Sequence, residues 1–140
     1  MASFSGEEIV AATGGVLLSG SRHARVCRIC TDSRVAREGD LFIALRGKAY
    51  DGHQFVKEVL RLGVKGMVIE ESMGKKYLSI VRKLQQSQIE ATPLVVGVDD
   101  TTRAFQEIAA YHRRRFQIPV VAITGSNGKT TTKEMVASTL

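Results

Sequence analysis

Tryptophan is missing from these 140 residues, aromatics amount to 6%, and cysteine and proline occur twice each. The shortage of aromatics removes the stacked-ring platform on which single-stranded nucleic acid is usually held. Positive charge is in excess, 20 Lys plus Arg against 14 Asp plus Glu for a net +6, but it is spread along the chain. Its one dense run, Arg113-Arg114-Arg115, falls where a helix is expected to end and where cations complement the helix dipole. Nucleic acid is therefore not an expected partner; small anions account for the bias equally well.

Long apolar runs are also lacking. None approaches the roughly 20 residues of a membrane-spanning helix. Met1 to Glu8 has neither a basic stretch nor an apolar one, so no secretion signal is read there. A cytoplasmic protein with no membrane partner is expected. Glycine and proline are too few for a disordered chain, and 44% hydrophobic residues is ordinary for a globular one. The length allows one domain, or a small domain with part of another.

The two cysteines form a C-x-x-C at Cys27 and Cys30. A zinc site would need a second pair of ligands, and only His23, His53 and His112 remain to supply it. A redox pair ordinarily sits at a helix N-terminus. Here Arg25 to Thr31 alternates like a strand, which sends the two thiols to opposite faces. Two buried or half-buried free thiols in a reducing compartment are expected.

Ser5 with Glu8 three residues on is a capping box, predicting a short helix to about residue 12 that Gly14-Gly15 stops. Strands are predicted at Val16-Leu17-Leu18, Val26 to Asp32, Leu41 to Leu45, Met67-Val68-Ile69 and Leu94 to Val98. Helical spacing joins Phe55, Val56, Val59 and Leu62 before Gly63, and later Tyr77, Ile80, Val81 and Leu84. Asp99-Asp100 caps a helix from Thr101 to about Phe116, with Phe105, Ile108 and Ala109 directed to a core. Strands alternating with helices indicate an α/β fold whose sheet is at least partly parallel. A boundary is placed near Gln117-Ile118-Pro119. Residues 1–100 then form a first domain, 101–117 a connecting helix, and 118–140 the opening of a second.

The chemistry concentrates in that last stretch. Val120 to Ile123 is an apolar, β-branched run predicted to be a strand buried on both faces, and Gly125-Ser126-Asn127-Gly128-Lys129-Thr130-Thr131 follows it into a predicted helix. Strand, glycine loop, Lys-Thr and helix is the order of a phosphate-binding loop. Gly125 and Gly128 let successive amides turn towards one anion. The helix adds the positive end of its dipole, Lys129 a mobile cation for the β- and γ-phosphates, and Thr130 a hydroxyl for Mg²⁺. Lys129 and Thr130 are thus the candidate catalytic pair, with Thr130 the candidate metal ligand. The spacing is G-x-x-G-K-T, shorter than the common form, because position 123 is Ile123 and not glycine. A glycine turn serving only tight packing is the other reading of the pattern.

Thr124 to Thr132, continued by Lys133-Glu134-Met135, resembles the ATP-binding segment of the Mur ligases, which form the amide bonds of peptidoglycan precursors. The Lys-Glu-Met continuation is most similar to the MurF type. Upstream, Thr31-Asp32-Ser33-Arg34, Gly39 to Gly47 and Asp51-Gly52-His53 resemble the N-terminal, UDP-binding domain of the MurE and MurF types. The resemblance implies a MurE/MurF-like UDP-binding domain followed by the first βα unit, the phosphate loop, of a truncated central ATPase domain.

It implies further that Thr31, Ser33 and Lys48 lie against UDP, with Ser33 donating to an oxygen and Lys48 neutralising the diphosphate. Asp32 and Arg34 are read first as a structural ion pair fixing the turn. His53 is read as a capping or packing residue and not as a catalyst. The reaction implied for the complete enzyme uses ATP and Mg²⁺ to activate the terminal carboxylate of a UDP-N-acetylmuramoyl-tripeptide as an acyl phosphate. The amine of D-alanyl-D-alanine then attacks it. The chain stops eleven residues past Lys129, so a site for that amine is not expected in it, nor is turnover. A MurE-type ligase adding the third amino acid, or a stand-alone nucleotide-binding module, are the alternative readings.

Overall fold

The computed structural model describes residues 3–86 and 91–139. It opens with β1 (Phe4–Ser5), which runs into α1 (Gly6–Thr13). The capping box is formed: the Ser5 hydroxyl accepts from the Glu8 amide at 3.2 Å, and the Glu8 carboxylate accepts from the Ser5 amide at 2.7 Å. Gly14 ends the helix at φ 64°, a left-handed conformation that a side chain would oppose. Then come β2 (Val16–Ser19), β3 (Arg25–Val26), β4 (Arg28–Cys30) and β5 (Asp40–Ile43). The second half alternates: α2 (Val56–Arg61), β6 (Gly66–Glu70), α3 (Gly74–Gln85), β7 (Leu94–Val98), α4 (Thr101–Arg114), and finally α5 (Lys129–Ala137).

Five strands form one sheet in the order β2-β7-β6-β5-β4. The pairings from β4 through β7 are parallel, and β2 closes the other edge antiparallel to β7. This is an α/β fold with a mixed, largely parallel sheet. Strict alternation along the strands explains how both faces are covered. Phe42, Ala44, Met67, Ile69 and Val95 point to the side where α2 and α3 lie, joining Val56, Val59, Tyr77 and Val81. Leu41, Ile43, Val68, Leu94, Val96 and Val98 point to the other, joining Ile9, Ala104 and Ile108 of α1 and α4. With helices on both faces, the central strands read as near-continuous apolar runs.

Several expectations change. The strand expected from Val26 to Asp32 is broken at Cys27, because β3 pairs antiparallel with β1 while β4 joins the main sheet beside β5. Cys30 is buried, its Sγ hydrogen-bonded to the Asp32 carbonyl at 3.0 Å, but Cys27 is exposed, against the expectation that both would be covered. On α2 the buried set is Val56, Val59 and Leu60, leaving Leu62 46% exposed. A 3₁₀ turn over Gly52–Phe55 precedes this short helix, which ends at Arg61, so Leu62 lies beyond its apolar stripe. On α4 the core stripe is Thr101, Ala104 and Ile108. Phe105 and Ala109, one position further round, are exposed along a surface groove.

The largest difference lies at residues 118–123. Val120 to Ile123, expected as a strand buried on both faces, forms no strand, and Val120 and Val121 are 64% and 65% exposed. A strand is held by its neighbours, and no strand of the described residues lies beside this one. Between 113 and 139, Ile123 and Val136 are the residues with partial cover. Arg113 ties the segment to the end of α4, donating to the carbonyls of Phe116 and Ile118, both at 2.7 Å.

Candidate functional site

The chain leaves β4 at its carboxyl end into Thr31 and a 3₁₀ turn over Ser33–Val35. Asp32 caps that turn, accepting from the Arg34 amide at 3.0 Å, and the Arg34 guanidinium returns to the same carboxylate at 2.6–3.2 Å. These bonds, the side-chain ones first and the backbone one next, hold the Asp32 carboxyl at about 2, below its usual 3.8. The pair is well exposed, so it shapes the turn more than it stabilises the fold. Ser33 is 3% exposed. Behind the turn, Arg28 forks onto buried Asp40 at 2.8 and 2.5 Å and reaches the Val35 carbonyl at 2.8 Å, clamping β4 to the start of β5.

A cleft of about 530 Å³ opens here, lined by Thr31 to Arg34 together with Tyr50 and Phe55. It lies beyond the carboxyl ends of parallel strands, where open α/β sheets place their ligands. Thr31 and Ser33 are thus brought together. Lys48 is not among the residues lining the cleft; it sits on an exposed turn closed by the Gly47 amide donating to the Tyr50 carbonyl at 2.7 Å. Tyr50, two residues on, is the member of that turn that reaches the cleft.

His53 is 1% exposed with both ring nitrogens engaged. Its Nε2 accepts from the Glu70 amide at 3.0 Å, which assigns the proton to Nδ1, donated to Asp51 at 2.6 Å. Burial pushes the Asp51 carboxyl up, but hydrogen bonds from the His53 backbone and ring and from Arg46 outweigh it and leave it below the usual range. No lone pair or proton of this imidazole is left for chemistry on a ligand, which agrees with a packing and capping role.

The residues expected to form a phosphate loop, Gly125 to Thr131, lead into the N-terminus of α5. Gly128 is its cap at φ 75°, and the helical ladder begins with the Thr132 amide donating to the Gly128 carbonyl at 2.9 Å. The amides of residues 129–131 therefore precede the ladder and are open to an anion. The Lys129 ammonium bonds the Gly125 carbonyl across the loop. Gly125 to Thr131 are all exposed. A shallow cleft of about 320 Å³ brings Lys129 and Thr130 together with Val121, Ile123 and Lys133. Among the described residues no cluster of three His, Cys, Asp or Glu side chains is placed to hold a metal.

Residues 25–113, well over half of the chain, match the family model described as "Mur ligase family, catalytic domain". The chain belongs to the Mur ligase family. It is 40% identical over 123 residues to the UDP-N-acetylmuramoyl-tripeptide–D-alanyl-D-alanine ligase of a Synechocystis strain, covering 86% of this chain and 24% of that protein. To the Bacillus subtilis ligase of the same name it is 33% identical over 112 residues, 80% of this chain and 22% of that one. A 2,6-diaminopimelate ligase of the family, from Cytophaga hutchinsonii, is 34% identical over 119 residues, covering 84% and 22%. Among solved structures, MurF from Acinetobacter baumannii superposes with a TM-score of 0.77 at 33% identity, over 99% of this chain and 27% of that one. MurF from Thermotoga maritima in complex with ADP gives 0.58 at 31% identity, over 78% and 22%. This Mur ligase chain thus spans about a quarter of the length of the relatives it matches.

The family match covers the Thr31–Arg34 turn and the loop from Arg46 to His53 and stops short of Gly125 to Thr131. Lys48 is favoured in the sequence by its charge alone. The signal that favours the tyrosine is positional: it is the last residue of the turn, directly before the Asp51-Gly52-His53 anchor.

Proposed function

We propose that this chain is part of a MurF-type ligase, holding the UDP end of a UDP-N-acetylmuramoyl-tripeptide at the Thr31–Ser33 cleft and carrying the phosphate loop for ATP. The observation that carries the reading is a solvent-open cleft at the carboxyl end of β4, lined by hydroxyl-bearing Thr31 and buried Ser33, in a chain related to ligases with that name. On this reading residues 1 to about 100 form the UDP unit, 101–117 is a helix shared with the next unit, and 118–140 opens the ATP unit. The burial of Ala104 and Ile108 beneath the sheet supports a shared helix and speaks against a free linker.

The residues of the loop suit a nucleotide triphosphate. The amides at 129–131 and the α5 dipole face an anion, and Lys129 neutralises charge as the γ-phosphoryl moves to the substrate carboxylate. The Thr130 hydroxyl would hold Mg²⁺, which when bound would neutralise negative charge at the phosphates. D-Alanyl-D-alanine would then attack the acyl phosphate, a step that depends chiefly on positioning. A MurE-type activity is the second reading, favoured by the diaminopimelate ligase among the relatives. Lys133-Glu134-Met135 supports the MurF assignment.

Calorimetric titration of UDP-N-acetylmuramoyl-tripeptide into this chain tests the proposal. Binding is expected for the unaltered chain, with Ser33→Ala weakening it by about 1.5–3 kcal/mol, the value of a hydrogen bond to a charged group. Equal affinity in the variant, at unchanged melting temperature, would remove Ser33 from the site.

A further inference from the structure

Helices α2, α3 and α4 each run back from the carboxyl ends of the parallel strands to their amino ends, and each finishes in cations. Arg61 closes α2, Arg82 and Lys83 close α3, and Arg114 closes α4, where positive side chains complement the helix dipole. Ser3 gathers two more at the same end. Its hydroxyl accepts from Arg25 at 2.6 Å and its carbonyl from Arg115 at 3.1 Å. The loop before β3 brings in Arg22, whose carbonyl accepts from the Glu7 amide at 2.8 Å. Along the sequence these cations are scattered, which hides the face they form. Among the described residues Glu7, Glu8 and Glu38 oppose them, and Glu8 is engaged by Arg115 at 3.7 Å. At the other end of the sheet, where β6 and β7 finish, Glu71, Asp99 and Asp100 lie together around one cleft. The molecule is therefore polarised along its strands.

Two apolar side chains stand among the cations. Leu62 follows Arg61 and is 46% exposed, and Phe116 follows Arg115 and is 47% exposed. The cations come from helices on both faces of the sheet, so the positive surface is as wide as the three-layer fold and broader than an extended peptide needs. One leucine and one phenylalanine make no stacking platform for bases. At an anionic bilayer both kinds of side chain find partners: the guanidinium and ammonium groups meet lipid phosphates, and the apolar tips enter the interface. We propose that the amino-end face of the sheet docks on an anionic lipid bilayer, with the cleft at Thr31 and Ser33 turned towards solution. The contact is one of surface only, because among the described residues no helix is long and apolar enough to cross a membrane. It does not depend on what that cleft takes.

Co-sedimentation with vesicles tests the proposal. The unaltered chain should bind vesicles of mixed phosphatidylcholine and phosphatidylglycerol at low salt, leave them as ionic strength rises, and ignore phosphatidylcholine alone. Arg22→Glu combined with Arg114→Glu should weaken binding about 30-fold or more, the effect of two lipid-facing cations. Lys57→Glu combined with Lys75→Glu makes the same change in net charge in the first turns of α2 and α3, at the opposite end, and should bind like the parent. Leu62→Ser combined with Phe116→Ser should weaken binding roughly 10-fold at unchanged charge. All six positions are exposed, so the melting temperature should stay near that of the parent in each case. Equal losses in the arginine and lysine pairs would reduce the effect to net charge and overturn the face. Binding of a DNA duplex as tight as that of the vesicles, and indifferent to the Leu62 and Phe116 changes, would make it a general polyanion surface and overturn the lipid assignment. If the unaltered chain stays in solution with anionic vesicles at low salt, the proposal fails outright.

Discussion

Lys129 and Asp32 are both charged and both in exposed segments, but they are placed for different work. Lys129 spans its own loop to the Gly125 carbonyl, where an incoming phosphate would compete for the ammonium. It supports no packed element, so Lys129→Ala is expected to leave the melting temperature nearly unchanged and to abolish measurable binding of a fluorescent ATP analogue. A large drop in melting temperature with nucleotide binding retained would make the residue structural. Asp32 instead shapes the turn. Its folded pKa of about 2 lies below the ordinary 3.8, so its contribution is present above the unfolded value and is lost as pH falls through the folded one. Asp51 and Glu8 are depressed in the same sense, Glu8 chiefly by the Ser5 amide at the capping box. Melting temperature should therefore fall between about pH 4 and pH 2, and the fall should be shallower in Asp32→Asn. Equal slopes in the two proteins would show that the Arg34 pair does not persist in solution.

At the scale of elements, α4 separates what a helical pattern tells from what packing decides. Spacing alone put Phe105, Ile108 and Ala109 inward, and Ile108 does go inward. The partner layer is the sheet with α1, and it takes Thr101, Ala104 and Ile108 while Phe105 borders a surface groove. Ile108→Ala should cost about 2–4 kcal/mol through a buried cavity, measured by urea unfolding, whereas the partly exposed Phe105→Ala should cost clearly less. The reverse order would restore the sequence-based phase. The N-terminal cap offers a smaller and more certain test. Ser5→Ala removes the acceptor for the Glu8 amide and is expected to cost about 1 kcal/mol.

For the whole molecule, the contrast is between a five-stranded sheet covered on both faces and a C-terminal segment of residues 115–139 with almost no buried side chain. Amides of β6 and β7 should resist hydrogen exchange to the limit of global unfolding, and those of Val120 to Ile123 should exchange at nearly unprotected rates in dilute solution. Strong protection of Val120 to Ile123 would mean that the sheet covers that segment after all. The sequence by itself determined much here, wherever the signal is local. The Ser5–Glu8 cap, the apolar runs of β5 to β7, the Asp100 cap and the glycine-lysine loop each depend on residues within a few positions of one another. Tertiary structure decided what depends on a distant neighbour. Cys27 is exposed because β3 and β4 pair with different strands, and Tyr50, not Lys48, lines the cleft, on a turn whose base Arg46 and Asp51 bridge. Val120 to Ile123 has the composition of a central strand and forms none, because a strand's hydrogen bonds and burial come from the strands beside it.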